Sequence, residues 1–189
     1  MGRKNNAYER REQIVWALFD CLAEKGHEKI TIKTIAAQAK MAPGIIHYYF
    51  KSKDEIVAIL AEAILEKYSN IFYSRLAKAN TRQQRIESLI DFLVDIIFDR
   101  RLNRAFYNLV QMSFERARLQ KVMKSMFKNY RQELAGAVIE IGADPANPML
   151  GAALLAITEG ITVQLLIDPQ AMKRIEVYEF ISGAVRDLL

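Results

Sequence analysis

Apolar and polar positions follow the helical period almost throughout this chain. Ile14, Leu18, Cys21 and Leu22 recur on one face of a first predicted helix, from about Ala7 to Lys25, and Val15, Trp16 and Phe19 widen the stripe. Gly26 follows as its stop, because glycine enters the left-handed conformation without penalty. The next segment is short. Thr31 serves as N-cap, and Ile32, Ile35, Ala36 and Ala39 are spaced as a helix face. A break at Lys40-Met41-Ala42 precedes Pro43, which suits the first position of a third, brief helix to about Tyr49. Ser52-Lys53-Asp54-Glu55 has the form of a capping box and opens a long helix from Lys53 to about Ala79. Thr81 to Gln84 repeats that device ahead of a helix to about Asp99. Further helices are predicted from Asn103 to about Arg116, from Leu119 to Ile141 with Gly142 as stop, and from Met149 to Ile167. A last one is predicted from Pro169 to Leu188, with Asp168 as N-cap. No strand-like alternation or repeat interrupts this pattern, so the expected fold is all-α with about nine helices.

Composition agrees. Eight glycines and four prolines among 189 residues leave few turns, as long helices require. One cysteine excludes an internal disulfide framework and points to a reducing compartment. No apolar stretch follows Met1-Gly2-Arg3-Lys4-Asn5, so no signal peptide is expected. The longest nearly uncharged run, Gly151 to Ile167, carries Glu159 and reads as too short and too polar to span a bilayer. The expectation is a cytoplasmic protein with no membrane partner.

Charge changes the picture. Residues 1–53 hold ten basic residues against five acidic ones, whereas the remainder holds seventeen of each. The whole surplus of +5 therefore sits in the first quarter of the chain, where it suggests a polyanionic partner or, more simply, a solvated charged face.

The two short helices carry the main functional signal. Two short helices joined by a tight break, behind a longer supporting helix, describe a helix-turn-helix. Ala36 and Ala39 supply the small residues where the helices cross; Ile32, Ile35, Ile46 and Phe50 supply apolar anchors. Ile46, Tyr49 and Phe50 share an inward face, which leaves Gly44, Ile45, His47 and Tyr48 outward. Exposing Ile45, His47 and Tyr48 together is unusual for a merely solvated helix and makes sense if that surface meets a partner. Lys51 and Lys53 flank it, Lys53 at a helix N-terminus where dipole and ammonium together favour a phosphate.

The stretch Thr31-Ile32-Lys33-Thr34-Ile35-Ala36, then Ala39, then Met41 through Lys53, then Ile56, resembles the N-terminal DNA-binding domain of the TetR-type transcriptional regulators. Residues Thr158 to Ile161, continuing through Leu165 to Pro169, resemble the penultimate helix of a subset that includes the choline-responsive repressors. Three positions depart from the family pattern: Lys40 stands where glycine is usual, Ala42 where a serine or threonine caps the recognition helix, and His47 where tyrosine is common. The missing cap is worth about 1 kcal/mol. The resemblance implies a head, residues 1–53, that enters the major groove of an operator through helix 43–49. Pro43, Gly44, Ile45, His47 and Tyr48 would lie nearest the DNA, Thr31, Tyr48 and Lys53 would mostly contact phosphates, and Lys33 and Lys51 would belong to the same DNA-binding surface. Arg3, Lys4, Arg10 and Arg11 form a basic arm that either reaches the DNA or simply frays.

The resemblance also implies that residues 54–189 form a helical ligand-binding and dimerisation body. Aromatic residues crowd its middle helices, and Tyr68, Phe72, Phe92, Phe106, Tyr107, Phe127 and Tyr130 read either as plain core or as the lining of a pocket for an apolar or aromatic ligand. Glu159 stands alone in an apolar segment, where it faces a cationic ligand, a dimer partner or solvent. The stripe Leu154, Ile157, Ile161 and Leu165, with Ile181 and Val185 on the last helix, is too apolar for a monomer surface and is expected to form a homodimeric four-helix bundle. The expected function is a dimeric repressor released from a pseudo-palindromic operator by a small molecule.

Two other classes compete. An enzyme is disfavoured. Both histidines, His27 and His47, lie in the head, Cys21 reads as inert core, and no metal-ligand spacing, phosphate loop or nucleophile motif is present. No catalytic residue, metal or cofactor is expected. The other class is a helical adaptor whose DNA-binding head is vestigial.

Overall fold

The computed structural model describes residues 2–189, with side chains described from Ala7 onward. The side chains of Arg3 and Lys4 lie outside the described residues. Among the described residues there are nine α-helices and no strand. They are α1 (Gly2–Lys25), α2 (Ile32–Gln38), α3 (Pro43–Tyr49), α4 (Lys53–Leu76), α5 (Arg82–Phe98), α6 (Arg100–Ser113), α7 (Ala117–Glu140), α8 (Leu150–Ile167) and α9 (Arg174–Asp187). A single 3₁₀ turn, His27–Lys29, separates α1 from α2.

Local chemistry explains most boundaries. Gly26 ends α1 at φ 78°. Thr31 and Thr34 exchange hydrogen bonds at the start of α2, and Thr81 and Gln84 do the same for α5. Gly142, at φ 113°, ends α7 with the Ala143 N–H donating to the Val138 carbonyl at 3.0 Å. Two starts differ from the sequence expectation. α6 begins at Arg100 rather than Asn103, because the Asp99 carboxylate accepts the Leu102 N–H at 2.9 Å and acts as the cap. Asn103 is buried instead, its amide donating to the Ile96 and Ile97 carbonyls, both at 2.9 Å. α9 begins at Arg174 rather than Pro169. The Asp168 carboxylate accepts the Gln170 N–H at 3.0 Å in a local turn, and Glu176 accepts the Lys173 N–H at 2.8 Å where the helix starts.

The chain divides into two compact units. The first contains the residues up to Leu65 together with Arg104–Lys124. Its interior is built from Ile14, Leu18, Cys21 and Leu22 of α1, Ile35 and Ala36 of α2, Ile46 of α3, and Ile56 and Leu60 of α4. Asn108 of α6 also belongs to this unit. Its side-chain oxygen accepts the backbone N–H of His27 at 2.7 Å, and its amide donates to the Leu22 carbonyl at 3.3 Å.

The second unit contains Glu66–Asn103 and Ser125–Leu189. Helix α5 is its centre, burying Leu89, Ile90, Phe92, Leu93, Val94 and Ile97 against α8 and α9. Gly151 lets α8 touch α7 backbone to backbone: a Cβ there would lie 1.8 Å from the Arg131 carbonyl oxygen. By length and composition alone the 18 residues of α8 reach what a membrane span needs, contrary to the expectation from its sequence run. Its buried face, however, packs into this unit.

Burial corrects the expected dimer stripe. Leu154, Ile161, Leu165, Ile181 and Val185 are all buried in the chain's own core, and Ile157 is half-buried. The exposed side of α8 is a different stripe, Ala156, Gly160, Val163 and Ile167, spaced at i, i+4, i+7 and i+11.

Candidate nucleic-acid interface

The interface is built on the α2–α3 turn. Ala39 is the last residue with helical geometry, and Lys40 takes the left-handed conformation at φ 55°. The Lys40 N–H donates to the Ala37 carbonyl at 3.1 Å and the Met41 N–H to the Ala36 carbonyl at 2.9 Å. These two bonds close the helix as a glycine-terminated helix usually closes, here with a lysine in the strained position. Gln13 of α1 fixes the turn from behind, its amide donating to the Ala39 carbonyl at 2.9 Å.

Ala42 precedes α3 without a side-chain cap, and Pro43 fills the first helical position. Ile46 and Phe50 are buried and Tyr49 is half-buried, as the periodicity predicts. The opposite face is open. Pro43, Gly44, Ile45, His47 and Tyr48 are all exposed, Tyr48 to 82% and Ile45 to 41%. The Tyr48 and Tyr49 rings meet edge to face at 5.0 Å, which steadies Tyr48 while leaving it in solvent.

Arg11 holds the far end of α3. Its guanidinium donates to the Tyr49 carbonyl, stacks on the Phe50 ring at 4.3 Å and pairs with Glu55 at 3.5 Å. Ser52 accepts the Glu55 N–H at 3.2 Å, while the Glu55 carboxylate accepts the N–H of Lys51 at 2.7 Å. That backbone bond, with Arg11, holds the Glu55 carboxyl below its usual range against the opposing effect of burial.

The flanking groups differ in how free they are. Lys33 and Lys51 are exposed. Thr31 is exposed, but its hydroxyl oxygen accepts the Thr34 N–H at 3.1 Å. Lys53 is half-buried, and its ammonium donates to the Ile30 carbonyl at 3.0 Å. Burial, reinforced by Arg116, holds its pKa below the usual lysine value. Sequence reasoning missed Gln13 and the positioning role of Arg11, because both act through backbone carbonyls 26 and 38 residues away. Pattern within a helix carries no sign of such contacts.

The aromatic candidates fall in both units. Phe106 and Tyr107 lie on α6 in the first, with ring centroids 5.5 Å apart. In the second, the Phe72 and Phe92 rings pack at 4.8 Å within the core, and Tyr68, Phe127 and Tyr130 pack against it half-buried. The Tyr68 hydroxyl donates to the Asp99 carboxylate at 2.9 Å. Burial, then Glu133 and Glu159, push the Tyr130 hydroxyl above its ordinary range. Glu159 is half-buried, and burial pushes its carboxyl up to about 7. Among the described residues no cluster of histidine, cysteine and carboxylate side chains is arranged to hold a metal ion.

Comparison with known proteins places this geometry. Residues 14–60 match the family model described as bacterial regulatory proteins, tetR family. Similar curated proteins include the HTH-type transcriptional regulator BetI of Brucella canis, 26% identical over 81 residues, or 43% of this chain and 41% of that one. Another is the HTH-type transcriptional regulator HbdR of an Aromatoleum species, 38% identical over 60 residues, or 32% of this chain and 26% of that one. The matched segment thus spans less than half of either relative. Solved structures match far more of the chain. A transcriptional regulator from a Rhodococcus species aligns with a TM-score of 0.79 at 20% identity, covering 95% of both chains. One from Saccharomonospora viridis, solved in complex with choline, aligns at 0.80 and 16% identity, covering 95% of this chain and 96% of that one. Residues 14–60 are thus similar to the tetR-family model, and nearly the whole chain takes the fold of solved transcriptional regulators.

Proposed function

We propose that this protein is a dimeric, ligand-responsive transcriptional repressor acting on double-stranded operator DNA in the cytoplasm. The observation that carries the reading is the exposed face of α3. Ile45, His47 and Tyr48 project from a helix whose other side is locked by Ile46, Phe50 and Arg11. Gly44 lets the backbone approach bases closely, since nothing lies within 4 Å of the Cβ it lacks. Thr31, Lys33, Lys51 and Lys53 serve phosphates. An ammonium has three donors, so Lys53 keeps two after its bond to Ile30. In this reading residues 1–53 act as the DNA-binding head and residues 54–189 as the ligand-binding and dimerisation body.

The dimer forms through the outer stripe of α8 with the exposed face of α9. Ile167 is 80% exposed and Phe180 58%, while Gly160 and Gly183 have open space where a Cβ would stand. Apolar side chains beside unfilled glycines suit a close-packed partner helix. A small molecule held among Tyr68, Phe127, Tyr130 and Glu159 weakens DNA affinity by a coupling of about 1–3 kcal/mol. A half-buried acid close to Tyr130 suits a cationic ligand, and the choline-bound solved structure supports that class.

The test is titration of the protein against a labelled duplex from just upstream of its own gene, beside a shuffled duplex, at two salt concentrations. Tight, salt-sensitive binding to the upstream duplex alone is expected, and Tyr48→Ala should remove it. Equal and weak binding to both duplexes, unchanged by Tyr48→Ala, would instead favour an adaptor with a vestigial head.

A further inference from the structure

The second unit contains a cleft of about 370 Å³ that the DNA reading leaves unused. It lies where the last turns of α4 meet the start of α5 and the second half of α7. Its volume is at the lower end of the ~300–1,000 Å³ typical of small-molecule sites. Glu159 does not line it.

The cleft has an apolar floor and an acidic wall. Phe72 and Leu76 of α4 form the floor, and the half-exposed Tyr73 ring stands at the rim, 5.5 Å from the Phe72 centroid. Three charged side chains line it. Arg85 and Glu140 neutralise one another across 3.1 Å. That leaves Glu133, half-buried, whose described hydrogen-bond partner is the Ser69 hydroxyl at 3.0 Å. A neutral hydroxyl with one proton is a thin partner for a desolvated carboxylate. Burial accordingly raises the Glu133 pKa, and burial, then Glu133 and Glu140, raises that of Tyr73. The cleft is electronegative, and Tyr73 lies close enough to Glu133 to feel its charge.

Gly136 gives the wall its depth. It lies in the middle of α7, where glycine weakens a helix, yet a Cβ there would meet nothing within 4 Å. Its missing side chain is open volume inside the cleft rather than a close backbone contact.

We propose that this cleft binds a small organic cation, its ammonium held by Glu133 and the Tyr73 ring and its apolar body seated on Phe72 and Leu76. A cation supplies the charge that Ser69 does not, and an electron-rich ring favours it further. An anion of the same shape meets net negative charge, and a neutral analogue leaves the carboxylate as poorly served as before.

The experiment is calorimetric titration of the full-length protein carrying Glu159→Gln, which removes the acid of the other proposed cation site, with phenethylammonium, 2-phenylethanol and 3-phenylpropionate at low salt. The amine is expected to bind saturably, and the alcohol and the acid at least about tenfold more weakly. Glu133→Gln keeps the shape and removes the charge, so it should weaken the amine by about tenfold or more. Gly136→Leu fills the cleft with a good helix former and should abolish binding while leaving thermal unfolding intact. Absence of saturable amine binding at millimolar concentration overturns the proposal. So does undiminished affinity for the amine when either substitution is added to that Glu159→Gln background, or equal affinity for the amine and the alcohol. None of these readouts involves DNA, so a failure here and a failure of the repressor reading are separate results.

Discussion

Single residues decide how well the reading head is held, and two of them are suboptimal for stability. Lys40 occupies the left-handed conformation at φ 55°, which costs an L-residue about 1–2 kcal/mol. Lys40→Gly removes that strain but adds freedom to the unfolded chain, so a net gain of about 0.5–1 kcal/mol is expected in urea unfolding. Ala42 gives α3 no side-chain cap, and Ala42→Ser should add about 1 kcal/mol by the same measurement. Both departures were legible in the sequence, because turn and cap chemistry is local. A third residue makes a prediction about pH. The Glu159 carboxyl titrates at about 7, above the ~4.3 of an unfolded glutamate. Between those values the folded state binds more protons than the unfolded one, so Glu159 makes stability fall as pH rises through this window and level off above it. Glu159→Gln should flatten that decline in a melting series from pH 4.5 to 8, and an unchanged slope would show the carboxyl to be solvated.

At the scale of the helix, the chain shows where sequence pattern succeeds and where it fails. The starts of α2 and α5 were readable because Thr31 and Thr81 find their partners three residues on. The start of α9 was not, since Asp168 and Pro169 make an equally good local case, overridden by Glu176, which caps a start five residues later at Arg174. The inward face of α3 was readable because Ile46, Tyr49 and Phe50 keep the i, i+3, i+4 spacing, even though Ile45 and Tyr48 make its other face partly apolar. Helix α8 offered no such contrast: both its faces are apolar, so periodicity could not tell the core stripe of Leu154, Ile161 and Leu165 from the outer stripe of Val163 and Ile167. Packing supplied the answer, and Gly151 shows its force. The Cβ of Gly151→Ala would lie 1.8 Å from a backbone oxygen that cannot swing aside, so α7 and α8 must separate. A loss of about 3 kcal/mol is expected in chemical denaturation, at the upper end of overpacking costs. Gly136→Ala on α7 meets open space and should instead gain about 0.5–1 kcal/mol. The contrast separates a glycine needed for helix contact from one that is merely tolerated.

For the whole molecule, the proposed DNA reading depends on pairing two copies. One recognition helix as short as α3 offers few base contacts. A two-fold dimer doubles them and sets two half-sites about one DNA turn, roughly 34 Å, apart. The exposed stripe of α8 is where a single charge should break that arrangement. Ile167 is 80% exposed within the protomer, so Ile167→Asp costs little in the folding of one chain but places a carboxylate within the proposed two-fold contact. Sedimentation velocity should then show a monomer at concentrations where the natural chain is expected to be dimeric, with the melting curve of the isolated chain nearly unchanged. Operator affinity should fall steeply in parallel. The dependence of log affinity on log salt should drop to about half its slope, because each monomer neutralises half the phosphates. A variant that stays dimeric would move the interface away from α8. One that becomes monomeric yet keeps the full salt slope would mean that a single head makes all the phosphate contacts, and that the operator need not be palindromic.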